Sequence, residues 1–158
     1  MVRKIIAFAV LSLLAVSAFG GELYLETLDS QKVSLNELVD SSPNVILFIW
    51  TSWCGYCREE ISRLSDKCLF YDNVDIYFVN IGDSLPAVER FLKRQHIQEC
   101  LKSKIRLDYE QNLARIYPIT SIPVYLFFKD GEAVTMTHYV DQDVLDYVFG
   151  PAPKRAVN

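Results

Sequence analysis

The feature that most constrains this chain is a pair of cysteines, Cys54 and Cys57, between an apolar run and a helical pattern. The run from Asn44 to Trp50 lacks the alternation of a half-exposed strand, so it predicts a central strand covered on both faces. From Cys57 the apolar residues recur at i, i+4, i+7 and i+11, ending at Cys68, which predicts one buried stripe of a helix. Cys54 is therefore expected at the start of a helix, and Cys57 one turn further along.

Local patterns predict the remaining elements. Ser34 and Glu37 form a capping box that begins a short helix to about Asp40. Asp130 and Gly131 supply the positive φ angles of a tight hairpin. The further predicted elements are a buried strand over 73–80, a helix over 84–95 capped by Ser84, a strand near 104–107, a helix near 110–117, hairpin strands over 122–128 and 133–139, and a helix from Asp141 to Phe149.

The order of these elements predicts the fold class. Strands alternate with helices first and a hairpin comes last, which favours an α/β fold in three layers: a mixed central sheet, helices on both faces, and a C-terminal β-hairpin plus helix. The 158 residues suit one domain, expected over 21–150. Residues 151–158 are expected to form a flexible tail, because Gly150, Pro151 and Pro153 break regular structure.

The first twenty residues resemble a secretory signal, with Arg3 and Lys4 before an apolar run and small residues near its end. The run is short for a membrane span, so cleavage of residues 1–20 is favoured over an uncleaved anchor. Either reading predicts an exported, periplasmic or extracytoplasmic domain that touches the membrane only through residues 1–20. The formal net charge of −4 disfavours nucleic acid as a partner.

The cysteine pair predicts dithiol–disulfide chemistry. At a helix N-terminus, free N–H groups and the helix dipole stabilise the Cys54 thiolate, which is the nucleophilic form. Cys54 would attack a partner disulfide, and Cys57 would resolve the mixed disulfide. Half of a zinc site and an inert structural disulfide are the alternatives, but no second Cys-x-x-Cys pair is present. We therefore expect no metal and no cofactor other than a redox-active disulfide.

Two segments resemble the thioredoxin superfamily: residues 46–57 with the following Arg58-Glu59-Glu60, and Ser121-Ile122-Pro123, which is similar to its cis-proline loop. The resemblance implies a thioredoxin-like fold, a cis Pro123 lying against Cys54, and backbone pairing of that loop with the substrate chain. The residues expected to contact substrate are Trp53, Gly55, Tyr56, Ile122 and Pro123. For Tyr56, exposure without a binding role is an equal alternative.

Within the superfamily the chain resembles extracytoplasmic reductases of the TlpA/ResA type, some of which serve cytochrome c maturation. Phe48 stands where thioredoxin has a buried Asp, and Glu60 matches a Glu thought to manage the thiol proton in ResA-like proteins. A favourable acid in the first helical turn is the other explanation of Glu60. The Gly55-Tyr56 pair also occurs in disulfide isomerases, whereas Ile122 before Pro123 is typical of reducing thioredoxins.

The resemblance implies an exported thiol-disulfide oxidoreductase that reduces exported proteins, including apocytochrome c, and is re-reduced by a membrane electron donor. A disulfide oxidant or isomerase, and a catalytically silent binding or chaperone module, are the alternatives. Cys68 is too far along the helix to reach Cys57, so a structural disulfide between Cys68 and Cys100 is expected; free buried thiols or a second redox relay are the alternatives. His96 and His138 are expected to be surface or packing residues.

Overall fold

The computed structural model describes residues 22–67 and 73–151. Its centre is a seven-stranded sheet in the order β2-β1-β5-β4-β3-β6-β7. The strands are β1 (Tyr24–Glu26), β2 (Lys32–Ser34), β3 (Asn44–Trp50), β4 (Asp75–Ile81), β5 (Ile105–Asp108), β6 (Val124–Lys129) and β7 (Glu132–Thr137). The helices are α1 (Leu35–Val39), α2 (Gly55–Lys67), α3 (Leu85–Arg94), α4 (Glu99–Lys102), α5 (Asn112–Ile116) and α6 (Gln142–Phe149).

The sheet is mixed, as predicted. Strand β3 pairs in parallel with β4, and β4 pairs in parallel with β5, while β6 is antiparallel to β3 and to β7. In this register Phe48 lies opposite Phe78 on one side and Tyr125 on the other. Strand β3 therefore lies inside the sheet, between β4 and β6, and the cysteine pair follows its carboxyl end.

Two apolar layers cover the two faces of the sheet. One layer receives Ile46, Phe48 and Trp50 of β3 and packs them with Cys57 and the buried stripe of α2. The other receives the alternate residues of β3 and packs them against α1 and α5. Since both faces of β3 are buried, the sequence shows a continuous apolar run there instead of an alternating one.

The predicted caps and turn are largely confirmed. Ser34 and Glu37 form the capping box of α1, and the Asp141 side chain accepts a hydrogen bond from the Val144 N–H at the start of α6. Asp130 and Gly131 have φ angles of 50° and 81°, and they join β6 to β7. Ser84 is the N-cap residue of α3, as predicted, but its side chain makes no capping hydrogen bond.

Several elements differ from the sequence-based expectation. The β1–β2 hairpin and the four-residue α4 were not predicted, and α5 is shorter than the helix expected near 110–117. The two new strands have three residues each, too few for a periodic pattern, and β1 pairs with β5 through Glu26 and Leu107. In the described part of the chain, no helix combines the length and apolar character needed to cross a bilayer. The signal over 1–20 and most of the tail over 151–158 lie outside the described residues, so both stay predictions.

Candidate active site

The two predicted cysteines form a disulfide at the turn between β3 and α2. Their Cα atoms are 5.2 Å apart. Cys54 directly precedes the first residue of α2 and is 7% exposed, whereas Cys57 lies in the first turn and is fully buried. Of the two cysteines, only Cys54 therefore reaches the surface, and only by a small part of its area.

The backbone around Cys54 is that of a helix N-terminus. The Arg58 N–H donates to the Cys54 carbonyl at 3.1 Å, so Cys54 accepts the first hydrogen bond of the helix. The Cys57 N–H lies 3.1 Å from the Cys54 sulfur and points a donor at it. A donor of this kind and the positive end of the helix dipole stabilise a thiolate when the disulfide opens.

Two aromatic side chains flank the disulfide and face water. Trp53 is 75% exposed and Tyr56 is 78% exposed, whereas Trp50, three residues before Trp53, is completely buried. Exposed aromatic side chains of this size are typical of protein-binding surfaces. Tyr56 is thus exposed as expected, and contact of Trp53 or Tyr56 with a substrate stays a prediction.

The second predicted segment has the expected backbone, since the Ile122–Pro123 peptide is cis. Trp53 and Ile122 line a common groove with a volume of about 490 Å³. The groove also includes Asp83 and Ser121, so the turn before Cys54 and the loop before Pro123 face one another across it. The expected contact of Pro123 itself with Cys54 stays a prediction.

His138 has a more definite place than the sequence indicated. Its Nδ1 lies 2.7 Å from the Pro123 carbonyl oxygen and its Nε2 lies 3.4 Å from the Ser121 hydroxyl. A carbonyl only accepts, so Nδ1 carries the proton and donates it. The exposed His138, which directly follows β7, thus contacts the cis-proline loop at Ser121 and at Pro123.

Asp83 stabilises the opposite side of the groove through two hydrogen bonds. Its Oδ2 accepts a hydrogen bond from the Ser52 N–H at 2.6 Å and another from the Asn80 side-chain amide at 2.8 Å. Asn80 is buried at the end of β4. The turn that carries Trp53 and Cys54 is therefore tied to the neighbouring strand, a contact that no local sequence pattern indicated.

Glu60 lies on α2, one turn beyond Cys57, and it is held by two partners. Arg63 donates two hydrogen bonds to its carboxylate, at 2.7 and 3.0 Å, and the Tyr125 hydroxyl donates a third. Burial raises the pKa of Glu60, but the hydrogen bonds from Arg63 and Tyr125 and the charge of Arg63 together lower it below 4.5. The carboxylate is thus ionised at neutral pH and links α2 to the central sheet.

Replacing Glu60 by glutamine should lower the free energy of unfolding at pH 7, because the charged hydrogen bonds are lost. The loss should be only about 1 kcal/mol, because Arg63 is half-exposed and solvent weakens its ion pair with Glu60. A carboxyl group with a lowered folded-state pKa stabilises the fold above its unfolded pKa. The difference from wild type should therefore shrink as the pH falls below 4.5. Urea unfolding at several pH values measures it. The exposed neighbour Glu59, changed to glutamine, is the control; an equal, pH-independent loss in both variants would contradict the assignment.

The other predicted site residues have simpler outcomes. Gly55 lies between the cysteines as the first residue of α2. Cys100 is disulfide-bonded and is not a free thiol. Cys68 lies outside the described residues, so the Cys68–Cys100 pairing stays a prediction. Within residues 22–67 and 73–151, no cluster of three or more His, Cys, Asp or Glu side chains could hold a metal ion.

Comparison with known families matches residues 19–143, most of the chain, to the family described as AhpC/TSA. The chain belongs to the AhpC/TSA family. Its sheet order, its cis-proline loop and its disulfide at the start of α2 are those of a thioredoxin-like fold. The prediction of the thioredoxin superfamily and of a mixed α/β fold is thus confirmed.

Individual relatives of this AhpC/TSA member agree with that placement. Thiol-disulfide oxidoreductase ResA of Bacillus subtilis is 24% identical over 132 residues, which cover 78% of this chain and 70% of that protein. Sporulation thiol-disulfide oxidoreductase A of the same species is 28% identical over 117 residues, covering 68% of this chain and 65% of that protein. The chain therefore spans about two thirds of the length of these two relatives.

A solved structure shows the same fold. A secreted Mycobacterium tuberculosis disulfide oxidoreductase, homologous to Escherichia coli DsbE, superimposes with a TM-score of 0.61 at 20% identity. The match covers 80% of this chain and 92% of that one. At this level of identity the likeness concerns the arrangement of the sheet and helices alone.

Proposed function

We propose that this protein is an exported thiol-disulfide oxidoreductase that reduces disulfides of extracytoplasmic proteins. It catalyses dithiol–disulfide exchange through Cys54 and Cys57. The observation that carries the proposal is the asymmetry of this pair: Cys54 lies at a helix N-terminus and is 7% exposed, whereas Cys57 is fully buried. An inert structural disulfide needs no such difference between its two sulfurs.

The asymmetry supports the following steps. In the reduced enzyme the Cys54 thiolate attacks one sulfur of a partner disulfide, forming a Cys54–partner bond and releasing the other partner sulfur as a thiolate. Cys57 then gives its proton to the partner thiolate that has been released, and the resulting Cys57 thiolate attacks the Cys54 sulfur. This step releases the second partner thiolate and re-forms the Cys54–Cys57 disulfide seen in the structure. Two electrons pass to the partner, and the redox-active disulfide is the only cofactor this cycle needs.

Reduction of insulin in the presence of dithiothreitol tests this activity. Wild-type protein should accelerate insulin precipitation well beyond dithiothreitol alone. No acceleration would favour the alternative of a binding or chaperone module in which the cysteines do not turn over.

The direction of transfer is proposed as reducing, because Ile122 before the cis proline resembles reducing thioredoxins. Equilibration with redox buffers should then give a potential near that of thioredoxin, roughly −270 mV. A potential near roughly −120 mV, that of the strong oxidant DsbA, would favour the oxidant or isomerase alternative. A membrane electron donor is the proposed source of electrons, and exported proteins including apocytochrome c are the proposed substrates. The signal-like residues 1–20 support export.

Substrate contact is proposed for Trp53, Tyr56 and the loop at Ile122 and Pro123. Trp53 and Ile122 line one groove of about 490 Å³. Pairing of an extended substrate segment with a backbone edge is a sequence-tolerant way to bind. Such binding needs a loop of fixed shape. His138 contributes to that shape through its hydrogen bond to the Pro123 carbonyl.

Changing His138 to leucine should raise the KM for insulin about fivefold with little change in kcat, because one hydrogen bond that holds the loop is lost. His138→Asn should restore most of the wild-type KM, since an Asn amide can donate from nearly the position of Nδ1. Steady-state kinetics measure both values. Equal KM values in the leucine variant and wild type would show that the loop keeps its shape without His138.

Glu60 is also proposed to influence the thiol proton, as the ResA-like resemblance implies. A nearby carboxylate raises the pKa of a thiol, so Glu60→Gln should lower the thiol pKa of Cys54 or Cys57. Iodoacetamide labelling against pH measures it, with Glu59→Gln as the control. An unchanged titration would leave Glu60 with the structural role that its contacts to Arg63 and Tyr125 already give it.

A further inference from the structure

Three arginines surround a small cavity beside the active site. Arg58 of α2 and Arg90 and Arg94 of α3 line it together with Ser52, and its volume is about 220 Å³. All three arginines are exposed. Ser52 is two residues before Cys54, so the cavity lies next to the turn that carries Cys54.

In the described part of the chain, no carboxylate forms an ion pair with these arginines. Arg90 and Arg94 are also spaced i,i+4 on one helix, where like charges destabilise the helix. The carboxylate of Asp83, close to the same turn, already accepts hydrogen bonds from the Ser52 N–H and from Asn80. The cavity thus has concentrated positive charge in a chain whose formal net charge is −4.

The position of Arg58 connects this charge to the disulfide. A Cβ atom added to Gly55 would lie 3.8 Å from Arg58 Nη2, so the guanidinium folds back toward Gly55, the residue directly after Cys54. Any protein whose disulfide approaches Cys54 brings the residues beside that disulfide within reach of Arg58. Arg90 and Arg94 extend the positive surface away from the reacting sulfurs.

We propose that this arginine site binds carboxylate side chains next to the target disulfide of the redox partner. The inference rests on the proposed exchange function and adds a preference for acidic protein segments. Arginine presents a planar fork that matches a carboxylate, and complementary charge speeds encounter between proteins. An anionic membrane is a less suitable ligand, because the site is concave and the net negative charge of the chain would oppose approach to such a surface.

Two synthetic peptides test the proposal. Each contains one disulfide, flanked by Asp and Glu in the first and by Asn and Gln in the second. Wild-type protein should reduce the acidic peptide with the higher kcat/KM. The Arg90→Gln/Arg94→Gln variant should lose about fivefold in kcat/KM on the acidic peptide, the effect of two surface charge pairs, with no change on the neutral one. Added salt should produce the same selective loss in wild type.

Lys93→Gln is the matched control, because it removes one exposed positive charge from the same helix outside the cavity. It should keep the preference for the acidic peptide. Equal ratios of the two kcat/KM values in wild type and in the double arginine variant would overturn the proposal. So would an equal loss in the Lys93 variant, because a general charge effect would then suffice.

A binding measurement separates this proposal from the exchange function. The acidic peptide with serines in place of its cysteines, carrying a fluorophore, should bind wild-type protein by anisotropy and bind the double arginine variant more weakly. If neither disulfide peptide is reduced but this difference in binding persists, the exchange function fails and the arginine site stands. If binding is equal, or if the arginines matter only for phosphatidylglycerol vesicles, the proposed acidic segment is wrong.

Discussion

Cys54→Ser abolishes insulin reduction, with an expected loss of about 10³-fold or more in rate, because a serine hydroxyl does not ionise near neutral pH. Cys57→Ser should behave differently. It retains the nucleophile but lacks the buried sulfur that resolves the intermediate, so it should stop at a mixed disulfide. Turbidity assays measure the first effect, and non-reducing gels of the second variant mixed with substrate show the trapped complex.

A pH titration of the Cys57→Ser variant tests whether the helix N-terminus stabilises the Cys54 thiolate. In Cys57→Ser the remaining thiol at Cys54 should react with iodoacetamide as a group whose pKa lies below about 8.5, the value of a free cysteine. The Cys57 N–H that points at the Cys54 sulfur and the start of α2 cause the shift. Activity in Cys54→Ser equal to wild type would contradict the assignment of the nucleophile.

The centre of the fold was predictable because its signals are local. The β3 run is long and uniformly apolar, and the stripe of α2 repeats with helical spacing, so both elements follow from short-range patterns. The edge hairpin β1–β2 was missed for the opposite reason. Each of its strands has three residues, and β1 is stabilised by pairing with β5, about 80 positions later in the chain.

The site shows the same division between local and distant information. Cys54, Cys57 and their flanking aromatic residues are adjacent in sequence, so their chemistry could be predicted. The contacts of Glu60 with Tyr125, of Asp83 with Ser52 and of His138 with Pro123 join residues 65, 31 and 15 positions apart. The arginine site depends in the same way on the packing of α3 beside α2. Such pairs have no periodic pattern, and only the folded sheet brings them together.

Trp50→Ala should lower the free energy of unfolding by about 3–5 kcal/mol, the cost of removing a large buried aromatic side chain and leaving a cavity. Trp50 ends β3 and is completely buried, with its ring centroid 4.9 Å from that of Phe91 on α3. The loss should appear as a lower urea midpoint for the oxidised protein, with an unchanged dependence on urea concentration. Because the total stability of a domain is only about 5–15 kcal/mol, this single change uses a large part of it.

Trp53→Ala is the matched control for this effect. The same side chain is removed three residues later, but Trp53 is 75% exposed, so the free energy of unfolding should change by no more than about 0.5 kcal/mol. Trp50→Phe should lower the free energy of unfolding by an amount between those of the Trp50→Ala and Trp53→Ala variants. It keeps a ring against Phe91 and also removes the indole N–H, which is buried without a hydrogen-bond partner in the described structure. Equal losses for the two alanine variants would mean that Trp50 and Trp53 do not divide between the core and the binding surface. The stability order of the three variants therefore tests whether the chain passes from the buried core at Trp50 to the exposed surface at Trp53.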